Sequence, residues 1–432
     1  MTVRDRHGLE LTGTSETAGD LYREAVKSYH CYAGEPFPML RTALADSPGF
    51  VMAHVLIAYM TLVGSDPRVR SLGTTAVAAT AGLTMTSREA GHVSAINAIM
   101  AGEFRNAARI LEDVAIAHPL DVLALQAGQQ MDFLTGDARM LRDRISRALP
   151  AWSEGMPDHH AILGLHAFGL EETGHYSRAE AAGRRAVELE PRNGWAQHAV
   201  AHVLEMQDRR VEGVAWMTGN APDWTHESYF AIHNWWHLAL FHLGLDDIDA
   251  VLELYDGPIY GEGSTMAFDM VDAAALLWRL TLRGVDVGDR WSALADNYAG
   301  QPCGQYAFDD VHAALAAVGA GRDAQARMLL DAMAAAAKAP GENGLITREV
   351  GLPLAQGIVM FGRGDFTAAT DLLRTVRNRA ARFGGSHAQR DVIDLTLIAS
   401  AARSGDTSLE RALVAERAGA IPQAPGWIVP TA

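Results

Sequence analysis

The sequence predicts an all-α protein, an array of stacked helical hairpins. Three observations predict it. Apolar residues recur at three- and four-residue spacing between Gly, Pro and Asp breaks. No stretch holds the two-residue alternation of a strand. A hairpin-sized unit returns several times along the chain.

The first strong helix is predicted over Thr17 to Tyr32, capped by Ser15 or Thr17 and closed by the turn GEPFP. Shorter helical stretches follow to Leu83, so residues 1–87 form an N-terminal helical segment. From Arg88 a period sets in. EAGHVSAINAIMAGEFRNAARILEDVAIAHPLDVLALQAG carries two helices, Gly102 at the turn, small Ala107 and Ala108 where helices must approach, and Pro119 opening the next unit. That is the layout of a tetratricopeptide unit, which recurs about every 34 residues. It returns in HHAILGLHAFGLEETGHYSRAEAAGRRAVELEPRNGWAQHAVAHVLEM, with Gly174 and Tyr176 at the turn, and in looser copies up to residue 403. Residues 88–403 are thus expected to be a tetratricopeptide-like α-α superhelix, a solenoid able to curl toward a near-closed ring, with 404–432 a cap or loose tail.

The whole-chain numbers narrow the function. With 36 basic and 52 acidic residues the formal charge is -16, which repels phosphate backbones and anionic membranes, so neither nucleic acid nor membrane is an expected partner. Cys31 and Cys303 are the only cysteines and form no CxxC, the start MTVRDRHGLELTG lacks a secretory apolar core, and no apolar run spans a bilayer. A cytoplasmic protein is expected, and homo-oligomerisation stays open. GxGxxG after a strand, GxxxxGK[ST] and GxSxG are absent, which argues against nucleotide-dependent and serine-hydrolase chemistry.

Chemistry concentrates between His198 and His237. HAVAHVLE places His198, His202 and Glu205 at i, i+4 and i+7 on one helix face, and HNWWH repeats the four-residue step at His233 and His237. First helices are expected at about 158–173, 193–206, 227–243 and 266–282. Their inward faces then carry His166 with Glu172, His198 with His202 and Glu205, His233 with His237, and Asp269 with Asp272, four helices pointing into one hollow. The segments 218–227 and 256–265 are longer than the repeat needs and are lid candidates.

A His pair at i and i+4 chelates one metal, and His198, His202, His233, His237 and Asp272 together suit Zn(II), Mn(II) or Fe(II). Without metal, a His and Glu couple moves protons, with Glu172 as a further partner. The plainer alternative is a set of buried histidines bonded to acids and carbonyls that fix helix register. Trp236 and Asn234 lie between the histidines and are candidate ligand contacts. Farther on, GGSHAQRD combines a Gly-rich turn with His387, Arg390 and Asp391 at a helix start, a candidate anion clamp, and His312 is a further candidate contact.

HAVAHVLEM and HNWWHLAL, joined by Trp216 and Met217, resemble the tetratricopeptide repeat protein 38 family, as do GLEETG at 169–174, VDAAALLWRL at 271–280, FDDVHAALA at 308–316 and GGSHAQRD at 384–391. The resemblance spans about 160–391. It implies a helical-repeat superhelix and marks Glu172, His198, His202, Glu205, His233, His237, Asp272, His312, His387, Gln389, Arg390 and Asp391 as motif positions. Asp310 departs from the expected pattern, and the likeness supplies no reaction. The expectation is an enzyme acting on a small molecule by metal-assisted or acid–base chemistry. The alternative is a non-catalytic scaffold binding a peptide or partner protein in its groove.

Overall fold

A computed structural model describes residues 2–63 and 68–420 of the chain. It is all-α: among the described residues the only β features are the isolated bridges Arg4 to Glu10 and Ala33 to Ser228. The chain divides into two compact units. The first comprises Met1–Val203 and Gly219–Ala231; the second comprises Leu204–Thr218 and Ile232–Ala432. The boundary falls inside the continuous helix Gly194–Met206.

In the first unit, helices pack as successive hairpins: Glu16–Cys31 with Pro36–Asp46, Val51–Leu62 with Arg70–Ala78, Ser87–Met100 with Phe104–Ala117, Val122–Leu134 with Ala138–Ala148, and His159–Glu171 with Tyr176–Leu189. In the second, Ala267–Leu282 pairs with Arg290–Ala299, Ala307–Gly319 with Asp323–Ala336, Leu352–Gly362 with Phe366–Val376, and His387–Ser404 with Thr407–Ala420.

Among the described residues, one local device recurs at the hairpin turns. The first helix ends on a left-handed residue, and the next N–H reaches back to a carbonyl five residues earlier, which satisfies the orphan carbonyls of the helix end. Glu103 N–H donates to the Ala98 carbonyl, His175 to Leu170, Arg209 to Leu204, Asp247 to His242, and Arg322 to Ala317. The left-handed residue is Gly102, Gly174 or Gly321 in three of these, but Asp208 (φ 56°) and Asp246 (φ 63°) in the others. An Asp just past the turn often caps the second helix: Asp137 accepts from the Met140 N–H and Asp365 from the Ala368 N–H.

The expected start of the first helix is shifted by one residue. Glu16–Cys31 is capped by Ser15, whose side chain accepts from the Ala18 N–H. The helix expected from 227 begins only at Ala231, because residues 227–229 are held by the first unit: Gly34 N–H donates to the Glu227 carbonyl and Tyr229 N–H to the Tyr32 carbonyl. Within the first unit the N-terminal arm runs past successive helix starts. Val51 N–H donates to the Thr12 carbonyl, Thr12 bonds Glu89, the buried Arg88 pairs with Asp121, and His7 bonds Asp158. No described helix is long and apolar enough to cross a membrane.

Candidate functional site

Asn193 starts the helix that carries the first histidine pair, its side-chain oxygen accepting from the Ala196 N–H. One turn apart on this helix, the His198 and His202 Nε2 atoms lie 2.8 Å from each other, both rings buried. At that distance one Nε2 donates and the other accepts. On its far side His202 faces a carboxylate, with Nδ1 3.6 Å from Glu171 Oε2. Phe168 stacks on His198 at 5.5 Å, and Trp195 and Phe230 flank it at 5.1 and 5.0 Å. Those rings keep water from the pair.

Glu171 and Glu172 end the helix His159–Glu171, and both are buried. With His202 they form a set whose candidate ligand atoms lie within 4.8 Å of one another, a His and Glu group positioned to hold a metal ion. The sequence singles out Glu172 of this adjacent pair. Glu171 also faces His202, and its only sequence signal is its adjacency to Glu172. His166, expected beside Glu172, instead bonds Ser146 Oγ on the neighbouring helix at 3.1 Å, and burial takes its pKa down to about 4.

The second unit holds the second pair. His233 Nδ1 lies 2.7 Å from Asp272 Oδ2, and His237 Nδ1 lies 3.2 Å from Glu205 Oε2. The two rings are 4.9 Å apart and nearly perpendicular. In each couple the carboxylate accepts from Nδ1–H, which fixes the tautomer and leaves the Nε2 lone pair for a metal or a proton. Burial, with the Arg279 charge nearby, holds His237 well below its ordinary pKa. Burial raises Glu205 to about 7 although a quarter of its side chain is exposed, so near neutrality it both takes and gives a proton. Asp269, bonded to Ser264 Oγ at 2.6 Å, is raised by burial to about 6.

Trp236 is fully buried and lies flat against His233 at 5.3 Å, so it is a wall of the couple and not an open stacking platform. Asn234 is fully buried as well. His312 donates from Nδ1 to the Phe308 carbonyl at 2.8 Å and borders a cavity of about 10 Å³ with Phe383 and Gln389, room for one water-sized molecule.

Several GGSHAQRD groups make contacts within the chain. Ser386 caps the helix in a reciprocal box with Gln389, Arg390 donates to the Gly385 carbonyl, and Arg417 grips Asp391 with two nitrogens at 2.5 and 2.9 Å. His387, half-buried, opens the same helix. Arg417 lies in Thr407–Ala420, part of the segment expected to be a cap or tail; the terminal QAPGWIVPTA lies outside the described residues.

Both lid candidates are bonded in part to their surroundings. Besides the backbone bonds at 227–229, the 256–265 segment is held by Asn297, which donates to Tyr260 Oη at 2.8 Å and to the Gly263 carbonyl at 3.2 Å. A further group in the first unit, Cys31, His160 and Glu190, was not singled out from sequence. Asn193 uses its oxygen on the helix start, so its NH2 donates to His160 Nδ1 at 3.1 Å. The proton of neutral His160 then sits on Nε2, which opposes metal ligation there. Burial pushes the Cys31 thiol up to about 12, in keeping with an inert core cysteine.

The sequence-predicted residues therefore come together as His198 with His202, His233 with Asp272, and His237 with Glu205, while His312, His387, Arg390 and Asp391 make contacts of their own. The first couple belongs to the first unit and the other two to the second. No family model matches the chain.

Proposed function

We propose that this protein is a small-molecule enzyme whose buried histidines, three of them facing a carboxylate, carry out metal-assisted or general acid–base chemistry. One observation carries the reading: His202, His233 and His237 each turn Nδ1 toward an acid, namely Glu171, Asp272 and Glu205. That arrangement orients metal-ligating imidazoles and raises their basicity. The His198 and His202 spacing supports it too. Their Nε2 atoms lie 2.8 Å apart on one helix face, so the two could hold one ion together.

Zn(II), Mn(II) or Fe(II) fits the imidazole and carboxylate set, and such an ion would supply an activated water or polarise a substrate oxygen. The chain's own residues supply the rest. His198 and His202 in one unit, and His233 and His237 in the other, offer Nε2 atoms; Glu205 holds or releases a proton near pH 7; and the surrounding rings exclude water. A cytoplasmic enzyme of the tetratricopeptide repeat protein 38 type is the corresponding proposal for location and family. A peptide-binding scaffold leaves four buried imidazoles, three of them facing acids, unexplained, because burying such groups is costly without a use.

Elemental analysis and calorimetric titration with Zn(II), Mn(II) and Fe(II) test the reading, on the native chain and on H202A and H237A. A stoichiometric ion that either variant loses is the expected result. A native chain that takes up none of the three ions more strongly than the variants rejects the metal form. The acid–base form falls if E205Q leaves the pH profile of turnover, found by substrate screening, unchanged around pH 7.

A further inference from the structure

We propose that Arg279 is an anion-recognition residue of the second unit, and that the small molecule served there carries a carboxylate or phosphate group. This deepens the enzyme reading above and rests on it for the word substrate, but not for the binding itself.

Arg279 stands in the helix Ala267–Leu282 within the apolar run Leu276, Leu277, Trp278 and Leu280, and it is only 1 % exposed. A guanidinium carries its charge at every accessible pH and is rarely buried without a partner anion. Two of its N–H groups are satisfied by neutral acceptors: Nη1 donates to the Ala275 carbonyl at 3.0 Å and Nη2 to the Ala388 carbonyl. No carboxylate among the described residues forms an ion pair with it.

The nearby acids are engaged by other groups. Asp391 is gripped by Arg417, Glu205 faces His237, and Asp272 faces His233. These acids act on Arg279 only from a distance, and burial dominates, drawing its pKa below the ordinary value. What remains is a full positive charge offset by carbonyl dipoles and by the Trp236 ring, whose centre lies 5.4 Å from the guanidinium carbon. Leaving a buried charge unpaired is strongly unfavourable, and a planar fork with N–H groups to spare matches a carboxylate or phosphate edge.

Placement gives the charge a use. The same Trp236 ring lies flat against His233, which Asp272 orients. Arg279 is therefore one aromatic ring away from a couple able to move a proton or hold an ion. An anionic group drawn to the guanidinium would bring its molecule beside that couple.

The competing role is a staple that ties Ala267–Leu282 to the start of His387–Ser404 through the Ala388 carbonyl. The two roles separate in one experiment. The full chain, treated with chelator, is titrated with succinate and with inorganic phosphate, against succinamide and KCl at matched ionic strength. Tryptophan fluorescence and thermal unfolding are followed in the native chain, R279K and R279Q.

A saturable response to succinate or phosphate in the native chain is expected, with the stronger of the two naming the anion class. The response should be weaker in R279K and reduced on the order of 30-fold or more in R279Q. The proposal is overturned if neither anion produces more than KCl does, or if R279Q, folded by circular dichroism, binds as the native chain does. A variant that loses thermal stability but keeps its anion response marks a staple. R279K keeps the cation and guards against a merely misfolded R279Q. Metal is absent throughout, so failure here leaves the metal-uptake result for H202A and H237A standing, and failure there leaves this one standing.

Discussion

At the scale of single residues, Glu205 offers the sharpest test. Its folded pKa of about 7 lies above the ordinary 4.5, so its contribution to stability is complete below pH 4.5 and is lost as pH rises through 7. Glu205→Gln removes that ionisation while keeping an acceptor for His237. The variant is expected to exceed the native chain at pH 8 by roughly 1–3 kcal/mol, an advantage that shrinks toward pH 5. Melting temperatures at the two pH values measure it, and an equal difference at both would sink the shifted ionisation. Glu171→Gln is expected to weaken Zn(II) binding about 10- to 100-fold, read by calorimetry, because Nδ1 of His202 loses the acid that faces it. These two acids differ in how far the sequence reveals them. Spacing put Glu205 on the histidine face, since i, i+4 and i+7 is a property of any helix. Adding Glu171 to Glu172 needs the packing of the next helix, which no local pattern encodes. Arg279 was hidden more completely: in VDAAALLWRL it reads as the polar end of an apolar run, and only its burial makes it notable.

At the scale of elements, hairpin turns and close helix approaches set the repeat. Asp246 bears the left-handed conformation that glycine adopts in sister turns, and its carboxylate is 88 % exposed beside Arg283, a pairing that adds little in solvent. Asp246→Gly is therefore expected to stabilise by about 1 kcal/mol and raise the melting temperature by a few degrees. No rise would mean the exposed pair outweighs the strain. Gly169 is the opposite case. A β-carbon there would sit 2.3 Å from the Leu141 carbonyl oxygen, so Gly169→Ala must push apart His159–Glu171 and Ala138–Ala148. A loss of about 1–3 kcal/mol in denaturant unfolding is expected. Gly102 and Gly174 made the turns legible because the residue type announces the conformation. Asp208 and Asp246 do not announce it, so residue type leaves those two turns illegible. The start of Ala231–Gly244 was misjudged for a different reason: residues 227–229 are fixed by backbone bonds to Tyr32 and Gly34, nearly two hundred positions away.

Across the whole molecule, the balance of buried titrating groups differs between the two units, although burial raises Asp5 and Asp132 in the first as well, and this balance orders acid unfolding. In the first unit, burial lowers His160 and His166 to about 4, and the bond from His7 helps lower Asp158 to about 2 against the cost of burial. The histidine contributions are complete above pH 6.5 and are lost as pH falls toward 4; that of Asp158 is complete above 3.8 and is lost as pH falls through 2. Every one of these penalises acid. In the second unit, His312 at about 4 and the depressed His237 act in the same sense, but Glu205 at about 7 and Asp269 and Asp310 at about 6 act in the other. Raised acids contribute fully below the ordinary carboxylate range and lose that contribution as pH climbs through 6 to 7, so acidification from 7 to 4 restores what the histidines lose. The first unit should therefore open before the second as pH drops from 6.5 to 4. Hydrogen exchange read by mass spectrometry, corrected for the intrinsic rate, should show protection falling in Val122–Leu134 and His159–Glu171 while Ala267–Leu282 and Ala307–Gly319 stay protected. Simultaneous loss in both sets would mean that the two units unfold as one cooperative body. Asp310→Asn should then bring the second unit's acid response closer to that of the first, because it removes one of the groups that offset the histidines.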